Sequence, residues 1–175
     1  MRALAGLDVR PTSDRLRETL FNVLTAGDPD VLGGSAWLDL YAGTGAVGIE
    51  AMSRGAGSVT FVEKTKQAAR AIRENLKSLG ISDGAEVVEQ DVLKALPQLA
   101  TQYDYCFVDP PYRMEGQYEG VLRTVSELNL MKGKGIIVAE HDKRFDPGDG
   151  IGNVLRYRKL VQGDACLSFY RMNER

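Results

Sequence analysis

The sequence predicts an α/β fold in which a mostly parallel sheet carries helices on both faces and ends in an antiparallel hairpin. Apolar strand-like runs alternate with helical segments over residues 35–140. That alternation implies right-handed crossovers between parallel strands. After residue 141 the alternation stops, and two strand-like runs follow each other across a short glycine-containing turn, which indicates a hairpin. The length of 175 residues fits a single domain with one core.

The predicted strands are short runs rich in β-branched and aromatic residues. The first five are residues 35–41, 58–63, 85–90, 103–108 and 135–140. The two hairpin strands are residues 153–161 and 165–172, joined by Gln-Gly-Asp and preceded by a loop over residues 145–152 that is rich in Gly, Pro and Asp. The sheet is therefore expected to have seven strands.

Two helices are predicted with clear boundaries. Over residues 66–79, small and apolar side chains recur at helical spacing, and Thr65 is placed to cap the N terminus. The other helix follows an extended segment at residues 10–13, is capped by Asp14 and runs to about Leu24. We therefore divide the chain into an N-terminal segment with its helix, residues 1–30, and a main domain, residues 31–175.

Arg17 falls on the apolar side of the predicted N-terminal helix. At 100° per residue that face consists of Leu16, Leu20, Val23 and Leu24. The arginine must snorkel along the apolar surface, pair with a carboxylate or bind an anion of a ligand.

Composition excludes several classes of protein. The apolar runs are much shorter than the ~18 residues of a membrane span, and the start of the chain lacks the apolar region of a signal peptide, so a cytoplasmic protein is expected. Cys106 and Cys166 lie far apart in strand-like sequence, which excludes a disulfide framework and a cysteine zinc cluster. His141 is the only histidine, so no multi-histidine metal site is expected.

The charge balance argues at first against a nucleic-acid partner. The formal net charge is −2 and the pI is near 5.5, whereas nucleic-acid binders usually carry an excess of Lys and Arg. The charge is unevenly distributed, with +1 in residues 1–24, −6 in residues 25–131 and +3 in residues 132–175. Basic ends flanking an acidic middle can still steer a polyanion to one face.

A glycine-rich turn directly follows the first predicted strand. Residues 42–48 read Ala-Gly-Thr-Gly-Ala-Val-Gly and lead into helical sequence, which is the G-x-G-x-x-G pattern in its strand-to-helix context. Gly43 and Gly45 would let the backbone approach a ligand closely. Glu63 ends the second strand, where its carboxylate can accept hydrogen bonds from both hydroxyls of a ribose. The pattern predicts an adenosine-bearing ligand, and dinucleotides and S-adenosylmethionine (SAM) both fit it.

Two further carboxylates favour SAM. Asp39 precedes the glycines and would lie near the charged amino group of a methionyl moiety, whereas it would repel a pyrophosphate. Asp91 follows the third strand, at the end of the sheet where open α/β folds bind ligands, and could accept a hydrogen bond from an adenine amino group. Aspartate is also a good helix N-cap, so a capping role for Asp91 stays equally open.

The fourth strand ends in Asp109-Pro110-Pro111-Tyr112, which is an array of acceptors. Two prolines fix φ and remove two N–H donors, so the turn is stiff. The Asp109 carboxylate and the Pro110 carbonyl could bind both N–H groups of a nucleobase amine and aim its lone pair at a methyl group. Tyr112 offers a ring on which a base taken out of its helix can stack. The tetrapeptide predicts amine methylation without a metal.

Three blocks of sequence resemble the RsmD family of class I SAM-dependent methyltransferases. They are Arg-Pro-Thr-Ser-Asp-Arg-Leu-Arg-Glu-Thr-Leu-Phe-Asn at residues 10–22, Asp-Leu-Tyr-Ala-Gly-Thr-Gly-Ala-Val-Gly-Ile-Glu-Ala at residues 39–51, and Asp-Pro-Pro-Tyr at residues 109–112. The resemblance implies a Rossmann-like class I methyltransferase fold and transfer of a methyl group from SAM to a guanine N2 in 16S ribosomal RNA. The implied partner is ribosomal RNA within the small subunit, and a monomer without metal or membrane is expected.

The same resemblance assigns roles to residues. SAM would be held by Asp39, Gly43, Gly45, Glu63 and Asp91. The guanine would be held by Asp109, Pro110, Pro111 and Tyr112. The site would be covered from the N-terminal side by Thr12, Asp14, Arg15 and Arg17. One departure concerns RNA docking: the basic G-x-x-R-G-R-x-L stretch that family members carry before the first block is absent from residues 1–10.

The same motifs are compatible with three other functions. A DNA adenine-N6 methyltransferase uses the same acceptor turn, although the chain has no insertion large enough for a target-recognition domain. An NAD(P)-dependent oxidoreductase is permitted by the glycine turn, although no Tyr-x-x-x-Lys pair is present. A binding module that has lost activity is the third alternative.

Overall fold

The computed structural model describes residues 12–173, and its sheet has eight strands. They are β1 (Ala36–Leu40), β2 (Ser58–Glu63), β3 (Ala85–Glu89), β4 (Tyr103–Val108), β5 (Met131–Asp142), β6 (Gly150–Ile151), β7 (Val154–Gln162) and β8 (Ala165–Met172). The spatial order is β3-β2-β1-β4-β5-β8-β7-β6. The pairs among β1 to β5 are parallel, and those that β8 makes with β5 and β7 are antiparallel. The predicted parallel sheet with a terminal hairpin is confirmed.

The described helices connect these strands. They are α1 (Asp14–Leu24), α2 (Ala46–Ser53), α3 (Lys66–Ser78), α4 (Val92–Ala95), which continues into a 3-10 turn (Leu96–Gln98), and α5 (Gly116–Glu127). Among residues 12–173, no helix is both long enough and apolar enough to cross a membrane.

Three details differ from the prediction. The sheet has eight strands rather than seven, because Gly150–Ile151 in the predicted loop forms a two-residue edge strand with β7. The fifth strand is longer than expected at both ends. The N-cap of α1 is Ser13 rather than Asp14, since the Ser13 side chain accepts a hydrogen bond from the amide of Leu16. The expected extended segment lies partly outside the described residues, at positions 10 and 11.

Two apolar clusters lie on the two faces of the sheet. Side chains alternate along a strand, so Leu38 packs in one cluster and Trp37 in the other. The first cluster contains residues of α5 such as Leu122, and the second contains Phe21 of α1 and Ile72 of α3. Helices on both faces are thus confirmed, and α1 shares its core with the sheet. The division of the chain at residue 30 stays a prediction.

Candidate active site

The strand order reverses beside β1, which has β2 on one side and β4 on the other. In an open α/β sheet this reversal leaves a crevice at the carboxyl ends of the strands. A cavity of about 340 Å³ lies there, within the usual size range of ligand pockets. Of the predicted site residues it brings together Gly43, Glu63, Asp91 and the tetrapeptide at residues 109–112. Sequence positions that lie up to about 70 residues apart therefore face one space.

The cavity is strongly acidic. Its lining contains seven carboxylates, Glu63, Asp91, Asp109, Glu115, Glu140, Asp142 and Asp164. Lys64 is the one Lys or Arg among the described lining residues. A concentration of negative charge in a cleft stabilises a cationic ligand and opposes phosphate groups. The lining therefore fits the positive sulfur and amino group of SAM, and it disfavours the pyrophosphate of a dinucleotide.

The glycine turn is held tightly against α3 and β2. Gly45 has a left-handed backbone with φ of 80°, and a Cβ there would lie 3.2 Å from both Ile72 and Phe61. A Cβ on Gly48 would come within 2.4 Å of Phe61, so α2 could not pack as it does with a larger residue. Gly43 is also left-handed, with φ of 58°, and lines the cavity. Glycine is needed at positions 43 and 45 for the left-handed backbone, and at positions 45 and 48 for the close packing of the turn and α2.

Glu63 already organises the glycine turn from within the protein. Its Oε2 accepts a hydrogen bond from the Gly43 amide at 2.9 Å. Its Oε1 accepts from both the amide and the hydroxyl of Thr65, each at 3.0 Å. A carboxylate offers about four lone-pair sites, so Glu63 must release one of these donors before it can bind both hydroxyls of a ribose.

Asp39 lies beneath the turn rather than on the cavity lining. Its side chain is buried, and Oδ2 accepts a hydrogen bond at 3.0 Å from the amide of Gly48, in the first turn of α2. Burial raises the pKa of Asp39 to about 8; the Gly48 hydrogen bond lowers it, and the nearby charge of Glu63 raises it further. The structure therefore shows a capping contact for Asp39, which the sequence did not indicate.

Asp91 caps α4 and also lines the cavity. Its Oδ1 accepts hydrogen bonds from the amides of Leu93 and Lys94 at 3.1 and 3.3 Å. The capping role that the sequence left open is thus confirmed. Both bonds end on one oxygen of the carboxylate, so capping does not by itself conflict with a contact to adenine.

The acceptor turn is joined to the N-terminal segment by Thr12. The Thr12 hydroxyl donates to Glu140 Oε2 at 2.6 Å and lies 3.4 Å from Asp109 Oδ2. Asp109, Pro110 and Pro111 line the cavity, and Pro111 accepts a hydrogen bond from the amide of Met114 that closes the turn at 2.8 Å. The stiffness expected of the two prolines is reinforced by this bond.

Tyr112 stands at the exposed mouth of the cavity, with 60% of its surface accessible. Its hydroxyl accepts a hydrogen bond at 2.6 Å from Arg144, and Arg144 is itself bound to both carboxylate oxygens of Asp142. Only one end of the tyrosine is fixed in this way. A ring exposed at the mouth of an acceptor site is suited to stack on a base.

Of the four predicted covering residues, Thr12 alone has a described contact with the acceptor turn. Arg17 pairs with Asp14 at 3.0 Å and lies 4.0 Å from Glu50 of α2, so it takes the carboxylate-pairing option that the sequence left open. Arg15 is exposed. Within residues 12–173, none of these four lines the cavity.

Several lining residues were missed by the sequence analysis, among them Glu140 and Tyr41. Glu140 is 7% exposed and lines the cavity beside Asp109; a polar residue at the end of the fifth predicted strand was the signal that could have found it. Tyr41 has an uncommon positive φ of 56°, and its hydroxyl donates to Gln117 of α5 at 2.9 Å. Because the hydroxyl is buried and lies near Asp91, the pKa of Tyr41 is raised. Nothing in the sequence indicated this backbone conformation.

His141 lines the cavity but both ring nitrogens have partners in the protein. Nδ1 lies 2.7 Å from the carbonyl of Phe145, so it carries the proton, and Nε2 lies 2.8 Å from the hydroxyl of Ser168. Burial lowers the pKa of His141, which favours the neutral ring. The histidine therefore holds the loop after β5 in place. No cluster of metal-binding side chains is present among residues 12–173.

The chain is similar over most of its length to proteins named ribosomal RNA small subunit methyltransferase D. The Haemophilus influenzae protein is 38% identical over 138 residues, which cover 77% of this chain and 69% of that protein. The Escherichia coli K12 protein is 31% identical over 163 residues, which cover 93% and 79%. The structure of YhhF from Escherichia coli, a candidate methyltransferase, superposes with a TM-score of 0.81 at 30% identity, covering 95% of this chain and 89% of that one.

The resemblance drawn from the three sequence blocks is confirmed by these similarities, as is the Rossmann-like methyltransferase fold. The family described as Conserved hypothetical protein 95 matches residues 1–171, nearly the whole chain. This protein belongs to that family.

Proposed function

We propose that this protein is a SAM-dependent methyltransferase that modifies the N2 amine of a guanine in the RNA of the small ribosomal subunit. The main support for the proposal is that the predicted SAM site and the predicted guanine site share one cavity. The Asp109 to Tyr112 turn and the residues assigned to SAM line the same acidic space. The related proteins named ribosomal RNA small subunit methyltransferase D support the choice of RNA.

The cofactor would lie across the carboxyl ends of β1, β2 and β3. Glu63 would bind the ribose hydroxyls, Asp91 the adenine amino group, and the open backbone at Gly43 would allow close approach. When bound, SAM supplies a methyl group on a positively charged sulfur. Nearby carboxylates stabilise that positive charge, and they do so without a phosphate-binding group.

Asp109 and Pro110 would prepare the amine for attack. The lone pair of an exocyclic amine is delocalised into the ring, so the nitrogen is a poor nucleophile. Hydrogen bonds from its two N–H groups to the Asp109 carboxylate and the Pro110 carbonyl draw the nitrogen toward sp³ geometry and align the lone pair. Transfer of the methyl group to the nitrogen would leave the carbon–sulfur electrons on sulfur and release one proton from the nitrogen, which Asp109 would accept.

The RNA would reach the cavity with its target base taken out of the stack. Tyr112 would hold the flipped base by stacking, a contact worth ~1 to 3 kcal/mol. Exposed basic residues close to the mouth, such as Lys143 and Arg144, would contact phosphates of flanking nucleotides. A ribosomal RNA substrate implies a cytoplasmic protein. The cytoplasmic location and the monomeric state both stay predictions.

A methyl-transfer assay tests the proposal. The protein, labelled SAM and small subunits from a strain that lacks the modification should give labelled RNA, and digestion should yield N2-methylguanosine. Asp109→Ala is the matched variant: we expect turnover to fall by ~10² to 10³, the usual loss when one preorganised electrostatic group is removed, with SAM affinity within a few-fold. If a folded protein that binds SAM transfers no label, the proposal is wrong. Labelled N6-methyladenosine in the digest would show that the substrate base is adenine rather than guanine.

A further inference from the structure

Two carboxylates lie side by side at the acceptor end of the cavity. Val108 of β4 pairs with Ala139 of β5, so the next residues of these parallel strands, Asp109 and Glu140, are neighbours. The Thr12 hydroxyl lies 2.6 Å from Glu140 Oε2 and 3.4 Å from Asp109 Oδ2, which places these two oxygens within about 6 Å of each other. Both residues line the cavity.

Glu140 is in an unusual place for an acidic residue. It is only 7% exposed, and acidic side chains are rarely buried to this extent, because removing a charge from water is costly. The preceding strand residues Val138 and Ala139 are buried and apolar, so an apolar side chain at position 140 would suit the strand better. The backbone of this residue is fixed separately, since its carbonyl accepts a hydrogen bond from Tyr118. A buried carboxylate that lines a ligand cavity is suited to bind a hydrogen-bond donor of the ligand.

A pair of adjacent acceptors matches one nucleobase. The Watson–Crick edge of guanine presents two neighbouring donors, N1–H and the N2 amine. Adenine and cytosine each present one amine donor beside a ring nitrogen that accepts, and uracil presents one N–H donor between two carbonyl acceptors. A second carboxylate beside Asp109 would therefore bind guanine and repel the acceptor nitrogen of adenine or cytosine. Enzymes that flip bases read this edge by hydrogen bonds.

We infer that Glu140 selects guanine by accepting a hydrogen bond from N1–H while Asp109 accepts from the N2 amine. This inference rests on the proposed function and adds the residue that would choose the base. The Thr12 hydroxyl stands between the two carboxylates, so a donor of the base would take up a position that a protein donor occupies in this structure.

Base analogues at the target position test the inference. 2-Aminopurine keeps the N2 amine but has an acceptor at N1, and 6-thioguanine keeps both donors while altering position 6. With small subunits carrying each base at the mapped site, the protein should use 6-thioguanine within several-fold of guanine. For 2-aminopurine, kcat/KM should fall by ~10² or more, because polar sites discriminate strongly against a mismatched polar group.

The variant Glu140→Gln should reverse the preference. The amide is nearly isosteric, and its NH₂ can donate to the N1 of 2-aminopurine. We expect kcat/KM for guanine to fall ~10-fold or more and that for 2-aminopurine to rise, so that the ratio of the two changes by ~10². Glu119→Gln is the matched control, since it removes the same charge from an exposed position on α5 outside the cavity lining, and it should leave the ratio unchanged.

Three outcomes of these experiments would count against the inference or against the proposed function. Equal kcat/KM of the unchanged protein for guanine and 2-aminopurine overturns the inference, even if Glu140→Gln does not fold. A variant that slows both bases by the same factor assigns Glu140 a structural role and overturns it too. If the unchanged protein methylates no guanine in any subunit, the proposed function itself has failed, which is a separate outcome.

Discussion

Asp39 lies in β1 and Asp109 directly follows the neighbouring strand β4, yet their carboxyl groups have different surroundings. Asp39 is buried, bonded to the backbone of α2, and has a pKa raised to about 8. Asp109 is partly exposed on the cavity wall beside Glu140. The environment of each residue, rather than its type, sets the pKa of its carboxyl group and the contacts that the group can make.

The raised pKa of Asp39 predicts a pH-dependent effect on stability. Between its usual value of 3.8 and about 8, the folded protein holds a proton on Asp39 that the unfolded chain has lost, so this residue makes the fold less stable as pH rises. Asp39→Asn removes that dependence. Its free energy of unfolding should exceed that of the unchanged protein by an amount that grows between pH 5 and pH 8, at most ~1.4 kcal/mol per pH unit.

Denaturant unfolding at pH 5, 6, 7 and 8 measures this difference. Titrating groups that do not interact with Asp39 contribute equally to both proteins and cancel in the comparison. A difference that stays constant over this range would show that Asp39 is ionised in the folded protein.

Glu63 provides a second prediction at the residue level. Replacing it by Ala should weaken SAM binding by ~10- to 100-fold, because hydrogen bonds to a charged group contribute ~1.5 to 3 kcal/mol. Glu89 is its register partner on β3 and lies outside the cavity lining, so Glu89→Ala is a matched control that should leave the affinity unchanged. Calorimetric titration with SAM measures both. Near-normal affinity in Glu63→Ala would contradict the ribose assignment.

At the level of elements, helix ends and strand ends meet around the cavity. The N-terminal end of α2 accommodates the Asp39 carboxyl, and that of α4 is capped by Asp91. Backbone N–H groups at a helix N-terminus have no partner within the helix, so carboxylates are favoured there. Asp91 therefore both caps α4 and adds to the acidic lining of the cavity, whereas Asp39 lies beneath the glycine turn and outside that lining.

The capping role of Asp91 and its proposed contact with adenine can be separated by Asp91→Ser. Serine caps helices about as well as aspartate, so the free energy of unfolding should change by less than ~0.5 kcal/mol. Its shorter neutral side chain does not replace the carboxylate in the cavity, and SAM affinity should fall ~10-fold. Calorimetry and thermal unfolding measure the two quantities. Unchanged affinity would leave Asp91 with capping alone.

For the whole molecule, the distribution of charge matters more than its total. The net charge is only −2, but seven carboxylates line one cavity, while residues 132–175 carry +3. A low-dielectric cleft focuses such a field on its ligand. The pI near 5.5 therefore reflects in part the preference of the cavity for a cation, and it does not argue against an RNA partner.

The effect of ligands on stability tests whether the acidic cavity prefers SAM to a ligand that carries a pyrophosphate. SAM at ~100 times its dissociation constant should stabilise the fold by ~2.7 kcal/mol, which raises Tm by ~5 to 10 °C in a protein of this size. NAD at the same concentration should give no shift, because its pyrophosphate would enter a negative field. A shift with NAD equal to that with SAM would support the oxidoreductase alternative instead.

The parts of this protein that could be predicted from its sequence are those that depend on local pattern. Alternating apolar runs predicted the sheet, and the glycine turn predicted SAM; the guanine site at the Asp109 to Tyr112 tetrapeptide stays a prediction. These features are local because strand periodicity, left-handed glycines and rigid prolines act over a few neighbouring residues. The short edge strand Gly150–Ile151 was missed, since its pairing with β7 is too brief to leave a pattern.

Local pattern could not predict which side chains from distant parts of the chain lie together in the fold. Glu140 lies beside Asp109 because β5 pairs with β4, and Thr12 joins the two from a segment about a hundred residues away. Asp39 turned inward to α2, and Arg17 of α1 lies 4.0 Å from Glu50 of α2, since burial and the position of α1 fix these contacts. Such juxtapositions depend on strand register and helix packing, which bring together residues distant in the chain.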